Sequence, residues 1–182
     1  MFRIIFLDID GVILPLGAEQ FDLAAIECIN AIARQARAEI VVASSWRRHV
    51  GPIETIDALL AAGLAKPLCC LPETSEFSTK AEDVAAWLGG HAEVEAWVLI
   101  DDGQAVCRSV RALKDRRGLV VEVGAGGFGQ GALKRALRHL CGHQAISIED
   151  MPPEFVSAFQ HPYESSEQAA LDHLLDEEGS KP

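Results

Sequence analysis

The chain has no apolar run approaching the ~20 residues that cross a bilayer as a helix, so no membrane span is expected. It has no C-x-x-C pair, and its cysteines are an odd five: Cys28, Cys69, Cys70, Cys107 and Cys141. Zinc-site spacing is therefore missing, and a disulfide framework is not expected in a chain of 182 residues. The thiols read as buried or incidental groups in a reducing compartment. A strongly basic stripe is also missing, which counts against tight electrostatic binding of nucleic acid. No internal repeat is visible. The apolar N-terminus, Met1 to Leu7, is short and runs straight into Asp8, so it reads as a buried strand and not as a secretory signal. A soluble, cytoplasmic protein is the expectation.

What is present supports a packed core: 49% of residues are hydrophobic and 24% are charged. The formal net charge is −11, and part of it is local, because the stretch from Glu164 to the end carries six acids and one lysine. The length suits one domain better than two. Residues 1–143 are expected to form a catalytic domain, and residues 144–182 an appendage with an acidic, partly disordered tail.

Along the chain, FRIIFL at 2–7 is a continuous apolar run ended by Asp-Ile-Asp-Gly, as in a parallel strand buried on both faces. Apolar residues at Phe21, Ala25, Cys28, Ile29, Ile32 and Ala36 have helical spacing over residues 19–37. Ile40 to Ala43 forms a second strand, ending at Ser44-Ser45. Ile53, Ile56, Leu59, Leu60 and Leu64 again keep helical spacing. A loop with a short strand around Leu68 to Leu71 precedes Thr79-x-x-Glu82, a capping box that opens a helix running to Gly89-Gly90. Trp97 to Ile100 is a strand ending at Asp101-Asp102. A helix around Val106 to Leu113, a strand from Leu119 to Val123, a glycine-rich loop and a helix from Ala132 to Leu140 follow. After Cys141 the character changes, with a strand-like stretch at Ala145 to Ile148, Pro152-Pro153, Pro162, and a weak helix near Gln168 to Leu175. The alternation of strand and helix predicts an α/β fold with a doubly wound parallel sheet.

In such a sheet, ligands bind at the carboxyl ends of the strands. The polar residues there are Asp8 and Asp10, Ser44 and Ser45, and Asp101 and Asp102. Carboxylates crowded at one edge repel unless a cation neutralises them, and all-oxygen ligands favour a hard ion, magnesium where phosphate is a co-ligand. Any one of these acids alone would read equally well as a turn or helix cap; the set is harder to explain that way. Lys80, in the first turn of a helix, opposes the helix dipole at a cost of up to ~1 kcal/mol. A cation aimed at an anion on the same edge would justify that placement.

These residues fall into an order that resembles the haloacid dehalogenase (HAD) superfamily. FLDIDGV at 6–12 is similar to its first motif, VVASS at 41–45 to the second, Lys80 to the third and VLIDD at 98–102 to the fourth. The resemblance covers residues 2 to 140 and implies a Rossmann-like HAD fold acting as a magnesium-dependent phosphatase. Asp8 would be the nucleophile that forms an aspartyl-phosphate, and Asp10 the acid that protonates the leaving oxygen and then activates water. Ser44 would bind a phosphoryl oxygen, and Lys80 would neutralise the phosphoryl group and orient Asp8. The metal set is Asp8, Asp10 through its backbone carbonyl, and Asp101 and Asp102, with Asp102 favoured as the direct ligand. An acid at Asp10 favours phosphate esters over carbon–halogen bonds. The intervals from Asp10 to Ser44 and from Ser44 to Lys80 leave no room for a separate cap domain, so an open site is implied, suited to a large substrate or a partner-supplied lid.

S-S-W-R at 44–47, K-x-E-x-x-x-W-L at 80–88 and the L-I-D-D strand carry a narrower resemblance, to the HAD domain of Swiss-army-knife RNA repair proteins. This implies end-processing of a polynucleotide, with Ser45, Trp46 and Arg47 as substrate-binding residues. Trp46 would stack on a base, or else pack in the core; Arg47 or Arg48 would grip a phosphate, or else begin a solvated helix. Three rivals stand beside this reading. Gly124-x-Gly126-x-x-Gly129 after a strand matches a dinucleotide-binding fingerprint. A phosphoacceptor receiver domain also pairs strand-end acids with a lysine, but in a different order. A HAD-fold binding module without turnover would keep the same fold.

Overall fold

The computed structural model describes residues 2–142. Its elements are β1 (Phe2–Leu7), α1 (Leu23–Ala36), β2 (Ala38–Val42), α2 (Trp46–His49), α3 (Pro52–Ala61), β3 (Cys69–Cys70), α4 (Lys80–Gly89), β4 (Val94–Asp101), α5 (Gln104–Arg111), β5 (Gly118–Glu122) and α6 (Gln130–Cys141). The strands form one parallel sheet in the order β3-β2-β1-β4-β5. The order reverses beside β1, so the crevice where such sheets bind ligands opens at the carboxyl ends of β1 and its neighbours. The expected appendage at 144–182, with its strand-like and helical stretches, lies outside the described residues.

Strand alternation splits the core into two layers. Ile5 and Leu7 of β1 face one layer, with α1, α6 and Leu59 of α3. Ile4 and Phe6 face the other, against Val84, Trp87 and Leu88 of α4 and Val110 of α5. Phe6 meets the edges of two indoles, Trp87 at 5.5 Å and Trp97 at 5.9 Å between centroids. Burial on both faces explains why β1 is apolar apart from Arg3, whose guanidinium donates to Ala36 O at 2.7 Å.

Boundaries differ from the sequence reading where a cap or a pairing decides them. Helix α1 begins later than the apolar spacing suggests, because the Asp22 carboxylate accepts from the amides of Ala24 and Ala25 at 2.9 and 3.1 Å. Strand β4 begins earlier, at Val94, since it is paired on both sides: with β1 from Phe2↔Val94 onward and with β5 from Trp97↔Gly118. The Thr79–Glu82 capping box at the start of α4 is present as read.

Gly118 is required by a close approach. A Cβ there would fall inside the indole of Trp97, which is 2% exposed. Gly118→Ala therefore overpacks the core and should lower the unfolding free energy by about 1–3 kcal/mol in a urea titration. Gly89→Ala, at a helix position with open space around it, should be neutral or stabilising. Equal effects at the two positions would show that the Trp97 contact does not constrain residue 118.

Candidate active site

Three adjacent strands deliver their terminal residues to one edge. The ladder continues past their ends: the Asp8 amide donates to Ile100 O at 3.0 Å, Ala43 N to Leu7 O at 2.7 Å and Val123 N to Asp101 O at 2.9 Å. Asp8, Ser44 and Asp101 thus leave the sheet side by side. The carboxylates of Asp8, Asp101 and Asp102 each place an oxygen within 4.8 Å of the others. The turn after Asp10 closes against them. Gly11 has φ +70°, and a side chain at that position would collide with the Asp102 carboxylate, so only glycine lets the turn pass this close.

Lys80 reaches into this cluster from the first turn of α4. Its Nζ lies 2.8 Å from Asp8 Oδ2 and also pairs with Asp101 Oδ2. The remaining oxygens of both acids are occupied: Ile9 N donates to Asp8 Oδ1 at 2.9 Å, and Gly103 N to Asp101 Oδ1 at 2.8 Å. Burial pushes the Asp101 carboxyl up to about 6; Lys80 opposes the rise and Asp8 adds to it. The Asp102 carboxyl is raised too, by burial and by the neighbouring Asp8. Desolvated acids whose charges raise one another's proton affinity are what a bound cation relieves. The all-oxygen donor set suits a hard divalent ion of the magnesium type.

The other expected site residues are placed as follows. Asp10 is half-buried, and its carboxylate is not one of the three clustered acids. It turns instead to Trp46, whose indole N–H lies 3.2 and 3.1 Å from its two oxygens. The Trp46 ring is half-buried, packed on Phe21, 6.0 Å between centroids, and against the core. Ser44 is fully buried at the end of β2, its Oγ 3.4 Å from the Trp46 amide. Ser45 is exposed where α2 begins.

Arg47, a substrate-binding candidate in the sequence, has a side chain that is 5% exposed and donates to Ser44 O at 2.6 Å and to Asp83 Oδ2 at 2.8 Å. Both terminal nitrogens of this guanidinium are held in the interior by a carbonyl and a carboxylate, and only the buried Nε has no partner. Its work is to tie the end of β2 to α4. Arg48 joins the same acid at 3.3 Å and also holds Ser78 O at 2.8 Å and Glu73 at 3.1 Å. Burial alone would push the Asp83 carboxyl up, but donors from Thr74, Ser78 and Arg47 together carry it below its usual range. Sequence reading missed Asp83, which looks like an ordinary first-turn helix acid; only its burial distinguishes it. The glycine-rich loop Gly124–Gly131 follows the edge strand β5 and not the strands flanking the crevice, the wrong end of the sheet for a dinucleotide fingerprint.

The parallel sheet and the strand-end acids define a HAD-type domain. The chain belongs to the family described as HAD domain in Swiss Army Knife RNA repair proteins, which matches residues 4–126. No curated protein and no solved structure matches the chain significantly. Membership carries a phosphohydrolase-type function. Among the described residues, no helix is long and apolar enough to cross a membrane.

The Arg47–Asp83 pair yields a stability test. Asp83→Ala leaves a buried guanidinium without its counter-charge and should cost about 3–5 kcal/mol in chemical denaturation. A loss under about 1 kcal/mol, the range of exposed pairs, would mean the pair is not buried in solution.

Proposed function

We propose that this protein is a magnesium-dependent phosphohydrolase that cleaves a phosphate monoester through an aspartyl-phosphate on Asp8. The observation that carries the reading is the convergence of Asp8, Asp101 and Asp102 around one point, with the Lys80 ammonium between Asp8 and Asp101. A carboxylate in that position is a competent nucleophile toward phosphorus only if the charge of the phosphoryl group is balanced.

Asp8 attacks phosphorus through a carboxylate oxygen. The bond to the leaving oxygen breaks, and its electron pair stays on that oxygen, which takes a proton from Asp10. In the second half, Asp10 removes a proton from water as the water oxygen attacks phosphorus, and the Asp8 ester opens to release inorganic phosphate. Lys80 balances charge on the phosphoryl oxygens while keeping Asp8 oriented. The Ser44 hydroxyl, at the end of β2, is the donor for one phosphoryl oxygen. Asp8, Asp102 and the Asp10 carbonyl would hold the magnesium ion, which supplies Lewis-acid stabilisation of the phosphoryl charge. Asp102, which is half-buried, suits direct ligation better than Asp101, which is 1% exposed.

A large substrate fits best, because all helices of the described residues pack on the one sheet and none forms a separate cap. The family's description from RNA repair proteins favours a polynucleotide end. With Arg47 buried, recognition falls to the exposed Ser45, the half-buried Trp46 and the groups around the crevice.

A phosphatase screen over 3′- and 5′-phosphorylated oligonucleotides, nucleotides and sugar phosphates, with and without magnesium, tests the reading. Turnover should require the ion, and Asp8→Asn should lower kcat by at least roughly 10⁴-fold, as for loss of a covalent nucleophile acting in concert with its partners. Turnover retained by Asp8→Asn would remove the mechanism.

A further inference from the structure

Resting on that reading, one contact in the crevice goes beyond it. The Trp46 indole N–H is shared between both oxygens of Asp10, at 3.2 and 3.1 Å. A donor placed between two oxygens fixes the plane of a carboxylate as well as its position. The backbone under Asp10 is held independently: Gly11 N donates to Leu14 O at 2.8 Å, and Ile13 N and Leu14 N donate to Ile9 O at 3.0 and 2.9 Å. The indole is itself packed in place. Its ring rests on Phe21 and the core, its amide faces Ser44 Oγ at 3.4 Å, and the next residue, Arg47, is clamped to Asp83. A rigid N–H thus reaches from the segment after β2 to the loop after β1 and ends on the carboxylate that must move protons.

We propose that Trp46 is a positioning residue for Asp10, holding its carboxylate in the orientation from which it serves the leaving oxygen and then the attacking water. Proton transfer depends steeply on geometry, and a half-buried Asp on a turn has several rotamers open to it. The arrangement explains why tryptophan stands two residues after Ser44: one short segment supplies a hydroxyl to the phosphoryl group and an N–H to the acid–base.

Trp46→Phe tests this: an aromatic ring stays at the position that meets Phe21, while the pyrrole half of the indole and its N–H are lost. Two substrates are compared: an alkyl phosphate, whose leaving oxygen needs a proton, and p-nitrophenyl phosphate, whose phenolate leaves without one. Alkyl phosphate kcat should fall roughly 10-fold or more, a fraction of the total supplied by a general acid. p-Nitrophenyl phosphate kcat should fall less than about 3-fold, with KM steady for both and Asp10→Asn showing the same bias more strongly. Equal losses on the two substrates, or none, would overturn the proposal. A crystal structure of the variant gives a readout without turnover: the Asp10 carboxylate should rotate out of its present plane, and an unmoved Asp10 would equally overturn it. If the wild-type protein turns over neither substrate, the phosphohydrolase reading fails, while the Asp10 orientation still decides the role of Trp46.

Discussion

A single ammonium group holds the site together. Lys80 pairs with Asp8, the residue after β1, and with Asp101, the last of β4, two acids that the sheet register places side by side at its carboxyl edge. Two like charges at about 4 Å repel by ~4 kcal/mol at an effective dielectric of 20, and burial sharpens the conflict. The lysine is itself awkwardly placed, in the first turn of α4 where the helix dipole disfavours a cation. The capping box and two acids in the same turn, Glu82 and Asp83, offset that disadvantage. The helix therefore begins where it does so that one cation can stand between two strands.

The rest of the edge serves to keep this arrangement accessible yet rigid. Arg47 and Asp83 tie the end of β2 to α4, so that Ser44 and Lys80, which come from different elements, are braced by one buried ion pair. Gly11 lets the turn after Asp10 close on Asp102. The apolar layers on both faces of the sheet place no group at the crevice; they fix the strand ends that do. Function and fold are thus divided between the largely apolar strand interiors and the polar residues at the carboxyl ends of β1, β2 and β4.

That division is why so much was legible in the sequence. Apolar runs stopped by acids announced β1 and β4, and Thr79-x-x-Glu82 announced α4 and with it the odd placement of Lys80. The fold class and the clustering of Asp8, Asp101 and Asp102 follow from local patterns repeated along the chain. What stayed hidden depends on pairs distant in sequence. Arg47 resembles a phosphate ligand until Asp83, 36 residues away, claims it. The Trp46 N–H has no sequence signature that separates a base platform from a partner of Asp10. Gly118 looks like a strand-start glycine, and only the Trp97 ring behind it explains why no larger residue fits.

The central claim is that these acids gather around a divalent ion, and it can be measured without any substrate. Magnesium that binds the folded protein alone must raise Tm by mass action. The Asp101 carboxyl sits at about 6 in the fold against an ordinary 3.8, so between those values the folded protein holds a proton that the unfolded chain releases. An ion held beside Asp101 favours its ionised form, so ion affinity must weaken as pH falls through about 6. Thermal unfolding with and without magnesium should therefore show a stabilisation at about pH 7.5 that fades by about pH 5 and is lost in Asp102→Asn. No magnesium-dependent shift at any pH, or a shift that survives in Asp102→Asn, would contradict the account.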